Sequence, residues 1–116
     1  MKLDTHHPLW VALRAHLSPA LKAFHVHDLE IAYTTEDGCV VKGTQYRDGA
    51  GLRVPRELIP QSLSEQLENF CKSFVNAAKL SDGEGVLSVS LEKAAVVLHH
   101  QPFDERAEER REEWGV

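Results

Sequence analysis

The stretch HDLEIAYTTEDGCVVKGTQYRDG, residues 27–49, decides the fold. His27, Leu29, Ile31 and Tyr33 fall on one side of a period-two pattern, with Asp28, Glu30 and Thr34 on the other, which describes a half-buried strand. Glu36-Asp37-Gly38 supplies turn chemistry, because Asp-Gly accepts the positive φ values of a tight hairpin. The return strand is CVVKGTQYR, residues 39–47. RDGAG at 47–51 repeats the turn signal, and a short third strand at 52–54 ends at Pro55. Sequential strands joined by tight turns imply an antiparallel sheet.

On both sides of this meander the apolar spacing becomes helical. Upstream, Leu9, Leu13, Leu17, Leu21 and Phe24 predict a helix over 8–23, with Pro8 at its first position and a restart at Ser18-Pro19 capped by Ser18. Downstream, SLSE at 62–65 has the form of a capping box. Leu63, Leu67, Phe70, Phe74 and Ala77 or Ala78 follow it as an apolar stripe flanked by Cys71 and Val75. Ser81-Asp82-Gly83 ends that helix, with Gly83 a candidate left-handed cap.

GVLSVSLEKAAVVLHH, residues 85–100, returns to strand character, with Leu87, Val89 and Leu91 facing one way. It reads as a hairpin turning near Lys93, or as one long bent strand. Asp104 is expected to cap a last helix carrying Phe103, Ala107, Arg110 and Trp114 along one side. The expected order is α-β-β-β-α-β-β-α. This is an α+β fold in which an antiparallel sheet of about five strands carries its helices on one face. Residues 1–116 form a single domain, with 103–116 a docked acidic C-terminal helix.

The formal net charge of −5 argues against free nucleic acid as a partner, since phosphate binding needs clustered lysine and arginine. An acidic chain suits a basic protein partner. The two cysteines, Cys39 and Cys71, have no CxxC spacing and read as reduced thiols of a cytoplasmic protein. Met1-Lys2-Leu3-Asp4 is not followed by the apolar run of a signal peptide, and no apolar stretch approaches membrane-spanning length.

Seven histidines make a metal site worth weighing. His25 and His27 stand two apart on one strand face, and His6-His7 and His99-His100 could add ligands, but no cysteine or carboxylate completes a recognisable set. Cys71, on or beside an apolar helical stripe, reads as an inert thiol; Cys39, after a turn, is the more accessible. The DGAG run lies between two strands, whereas a phosphate cradle needs a strand before it and a helix after. The expectation is no enzyme, no catalytic residue, no bound metal and no cofactor.

Partner binding then rests on carboxylates. Glu105, Glu108, Glu109, Glu112 and Glu113 stand on the expected last helix, and Asp28, Glu30, Glu36 and Asp37 on the first hairpin. Phe103 and Trp114 are expected to anchor the tail helix.

The layout resembles the YezG-like immunity proteins (antitoxins) of bacterial polymorphic toxin systems. The resemblance is carried by a Trp in the first helix, Trp10, and a meander with acidic and aromatic residues, LEIAYTTEDG and VVKGTQYRDG. The amphipathic helix SLSEQLENFCKSF, the late hairpin LSVSLEKAAVVL and a tail ending REEWGV complete it. It implies a cytoplasmic bacterial protein that binds the toxic domain of a cognate effector, often a nuclease. Charge and the lack of a spanning apolar run lead to the expectation of no nucleic acid and no membrane as partner, and a monomer or homodimer is expected. The alternatives are a dimeric acidic secretion chaperone binding an effector segment through an apolar groove, and a small histidine-based metal- or ligand-binding domain.

Overall fold

The computed structural model describes residues 11, 15, 17–77, 80–91 and 95–115. The chain is α+β: helix α1 (Ser18–Ala23), strands β1 (Asp28–Thr35), β2 (Cys39–Arg47) and β3 (Arg53–Val54), and a 3-10 turn at Arg56–Leu58. Helix α2 (Gln61–Ala77) and strands β4 (Gly83–Ser90), β5 (Ala95–Pro102) and β6 (Arg110–Gly115) follow. The six strands form one sheet in the order β3-β2-β1-β4-β5-β6, with every neighbouring pair antiparallel. The sheet therefore has six strands where about five were expected.

The period-two reading of β1 holds: Leu29, Ile31 and Tyr33 are buried, while Asp28 and Glu30 are exposed. The hairpin at 36–38 turns with Asp37 at φ 56° and Gly38 at φ 116°, and the Glu36 amide donates to the Gly38 carbonyl at 3.1 Å. The second turn is held by Asp48, whose Oδ1 accepts from the amides of Ala50 (2.9 Å) and Leu52 (3.0 Å). A bulge separates Ala32 from Tyr33 in the β1–β2 register, leaving Lys42 as the extra residue on β2 between Gly43 and Val41.

Helix α2 buries Leu63, Leu67, Phe70, Cys71, Phe74 and Val75 against the sheet residues Leu29, Ile31, Leu87, Val89, Val96 and Leu98. Leu17 and Leu21 of the α1 region join the same core, so both helices lie on one face. From Leu63 to Val75 the apolar stripe of α2 is the one its sequence predicts, with the side chains of Ala77 and Ala78 outside the described residues, but its start differs. Ser62 lies inside the helix, the Leu63 and Ser64 amides both donate to the Pro60 carbonyl at 3.1 Å, and Glu65 accepts from Gln61 Nε2 at 3.2 Å. Pro60 serves because its carbonyl is free to accept and it has no N–H to satisfy. Pro8, Leu9, Trp10 and Leu13, with Ala12, Arg14 and His16 of the expected helix over 8–23, lie outside the described residues. Ser18 makes no side-chain cap; Leu17 before it already has right-handed helical dihedrals.

The C-terminal segment corrects the reading of 103–116 as a docked helix. Asp104 starts a turn, accepting from the Arg106 amide on Oδ1 (2.9 Å) and the Ala107 amide on its carbonyl (3.0 Å). Residues Arg110–Gly115 then pair with β5 from His100↔Arg110 to Ala95↔Gly115. The charge pattern explains the ambiguity. Opposite charges at i,i+3 support a helix by only tenths of a kcal/mol. In RREEWG opposite charges also fall at i,i+2, one strand face, and Arg111 meets Glu113 at 2.9 Å. Pairing with the open edge of β5 decides between them. Phe103, expected as an anchor, is 53% exposed.

Candidate functional site

Strand direction fixes where the carboxylates collect. β1 ends at Thr35, opposite Gly83 at the start of β4, which in turn faces Pro102 at the end of β5. The hairpin tip, the entry to β4 and the β5–β6 connection therefore meet at one end of the sheet. The tip contributes Glu36 and Asp37, and the entry to β4 contributes Asp82 and Glu84, all exposed. The connection adds Asp104, Glu105, Glu108 and Glu109, exposed as well. Within these three segments Arg106 is the opposing cation. A cleft of about 410 Å³ opens here, lined by Glu84, Asp104, Glu105 and Glu109 with Gln101, Pro102, Phe103 and Ala107. His99 Nε2 stands 3.5 Å from Glu109 Oε2 at its rim.

Not all predicted residues join this end. Asp28 and Glu30 lie on the open face of β1, where Arg47 approaches Glu30 at 4.0 Å. Glu113, on β6, is tied to Arg111. Glu112 takes the register position opposite Leu98. The structure thus brings together Glu36, Asp37, Glu105, Glu108 and Glu109, and separates Asp28, Glu30, Glu112 and Glu113 from them. Asp82, Glu84 and Asp104 were missed by the sequence reading, because only the strand register carries them to the hairpin tip.

A shallow bowl of about 780 Å³ beside β2 is lined by Lys42, Arg53 and Arg56 together with Glu30 and Glu57, so its charges are mixed.

Beneath the acidic end lies a buried polar network. His100, fully buried, stacks on Tyr33 with ring centroids 5.8 Å apart and an interplanar angle of 9°. Its Nε2 lies 2.8 Å from the Ser81 carbonyl and its Nδ1 lies 2.9 Å from the Tyr33 hydroxyl. A carbonyl only accepts, so Nε2 carries the proton and, in the neutral ring, Nδ1 receives the Tyr33 O–H. Burial raises the Tyr33 pKa and keeps that phenol protonated as donor. The two rings meet across β4, and only glycine leaves them room. A Cβ at Gly85 would run into the Tyr33 ring, and one at Gly83 would sit 2.8 Å from His100 Nε2. Thr35 Oγ1 completes the network, accepting from the Gly83 amide at 2.9 Å and lying 3.2 Å from the Ser81 carbonyl. Gly83 is thus a strand residue without space for a side chain, where a left-handed helix cap was expected.

The histidine pair is also corrected. His25 ends α1 in a left-handed conformation (φ 65°), its amide donating to the Lys22 carbonyl at 3.0 Å, and is exposed. His27 is half-buried against Gly49. The two do not share a strand face, because β1 begins at Asp28. Among the described residues no three of His, Cys, Asp and Glu come together in a way that could hold a metal ion. Among the described residues no helix is long and apolar enough to cross a membrane. Burial pushes the Cys71 thiol up to about 12.

No family model, curated protein or solved structure matches the chain.

Proposed function

We propose that the acidic end of the sheet is a docking surface for a basic protein domain, and that the protein acts as an immunity protein in the bacterial cytoplasm. In this role it neutralises the toxic domain of a cognate effector, a nuclease by the charge logic. One observation carries the reading: two acidic segments far apart in sequence, Glu36-Asp37 and Asp104–Glu109, are brought to the same end of the sheet with Asp82 and Glu84 between them. Enzymes that grip phosphate carry basic clefts, and a rigid acidic tip beside an acidic hollow fits such a cleft electrostatically. Phe103, 53% exposed in the cleft wall, offers the apolar contact that charge alone lacks.

The test is inhibition. The basic toxic domain encoded beside this gene is assayed for nuclease activity while the protein is titrated in. Loss of activity at equal molar amounts, reversed by Glu105→Lys with Glu109→Lys, supports the reading. Full activity at excess protein refutes it. A secretion chaperone is the second reading, favoured by the open sheet face, where Ala32, Val86 and Val97 are only half-buried. Such a face would take an extended effector segment and leave nuclease activity untouched.

A further inference from the structure

The two cysteines of the chain lie on different elements, Cys39 at the start of β2 and Cys71 in α2. Alternation counted back from the buried Tyr46 would turn Cys39 toward the open face. The bulge at Lys42 resets that phase. Ile31 pairs with Thr44, but Tyr33 pairs with Val41 and Thr35 with Cys39, so Val41 and Cys39 pack toward the core. Cys39 therefore packs against the core cluster that includes Cys71, and each thiol bears on the other's ionisation. Cys71 is fully buried, whereas Cys39 is partly exposed.

We infer that Cys39 and Cys71 form a reversible intramolecular disulfide that ties α2 to the tip end of the β1–β2 hairpin when a small-molecule disulfide is the oxidant. The Cys39 thiolate attacks one sulfur of glutathione disulfide and expels a glutathione thiolate, which takes up a proton. The Cys71 sulfur, losing its proton to solvent or to a glutathione thiolate, then attacks Cys39 and expels the second glutathione. The protein dithiol is oxidised, one glutathione disulfide is reduced to two thiols, and both protein thiol hydrogens are accounted for. Exposure sets the order of attack, since only Cys39 is reachable from solvent. Burial raises the Cys39 thiol above its ordinary value, and the Lys72 ammonium offsets only part of that. The link fastens the first β2 residue after the tip that carries Glu36 and Asp37, yet it stands whether or not that tip binds a partner.

The test uses the full chain incubated with glutathione disulfide, quenched with N-ethylmaleimide and weighed intact. The expected product is lighter than the reduced protein by two hydrogens, carries neither glutathione nor maleimide, and melts several degrees higher than the reduced form. Cys71→Ala should stop at a glutathione adduct on Cys39. Cys39→Ser, at the more exposed position, should leave Cys71 without an adduct, and serves if the core substitution fails to fold. Wild-type protein that keeps two maleimide-reactive thiols, accumulates the Cys39 adduct, or cross-links between chains overturns the inference.

Discussion

The β1–β2 hairpin and the C-terminal segment arrive at the same end of the sheet, but different physics puts them there. The hairpin is local. Asp37 and Gly38 take the positive φ values that their chemistry tolerates, and the strands on either side follow. The C-terminal segment is tertiary. Nothing between Arg110 and Gly115 demands a strand until β5 offers an open edge. Local turn chemistry can therefore be read without the fold, whereas an edge strand made of charged residues exists only because a neighbour is there to pair with it. Its charges also suit the position, since an edge bearing RREE is a poor template for further strands, and on the other side of the sheet Lys42 at the β2 bulge has the same effect.

The largest effect is expected where both regions depend on one interior. Phe74 is 2% exposed and packs on Phe70 at 5.5 Å. Phe74→Ala should cost roughly 3–5 kcal/mol, a large share of a small domain's stability, and chemical denaturation would read it. An unchanged midpoint would mean that the stripe of α2 does not face the core.

The buried network beneath the shared end comes next. His100→Ala removes the stacking partner of Tyr33, leaves its hydroxyl without the Nδ1 acceptor and takes one of two donors from the Ser81 carbonyl, so a loss of roughly 2–4 kcal/mol is expected. Tyr33→Phe keeps the ring and should cost about 1–2 kcal/mol. Equal costs for the two would show that stacking contributes little.

Alkaline pH should weaken the fold. The Cys71 thiol is raised from the ordinary 9.0 to about 12, so the unfolded chain loses this proton at a lower pH than the native one. Its stabilising effect is complete below pH 9 and disappears as pH climbs toward 12, at about 1.4 kcal/mol per pH unit. Comparing wild type with Cys71→Ala at pH 8 and pH 10 isolates that slope. A parallel loss in both proteins would assign it to other groups.

The pairing of the C-terminal strand can be tested without relying on stability. Val97 and Glu113 stand directly opposite in the β5–β6 register. Cysteines placed at both positions should cross-link readily, since directly opposed Cβ atoms lie about 5 Å apart. Cysteines at Val97 and Glu112, one residue out of register, should not. Equal cross-linking of the two pairs would mean that the segment has no fixed register.

Sequence reading recovered the meander, the apolar stripe of α2 and the late hairpin because each rests on periodicity or turn residues. It lost the last element because RREEWG satisfies two periods at once. Alternation puts His99 and His100 on opposite faces of one strand, and the buried one could have been named: His100 is in phase with Val96 and Leu98, both buried, and His99 is not. The bulge at Lys42 left no comparable mark, so the inward turn of Cys39 could not be read. The candidate site was half legible. Its acidic tip and acidic tail were named from composition, but their union required the strand register, and with it came Asp82, Glu84 and Asp104.

The association rate with the proposed basic partner domain, measured by stopped flow across a range of salt, tests the acidic end as a docking surface most directly. Charges outside a tight contact govern encounter more than residence. Glu36→Lys with Asp37→Lys, and separately Glu105→Lys with Glu109→Lys, should each slow association by roughly tenfold at low salt and flatten its salt dependence, while dissociation and thermal stability change little. Slowing by both pairs is what a single docking surface predicts. An association rate that neither double reversal alters would contradict the acidic end as the site of binding.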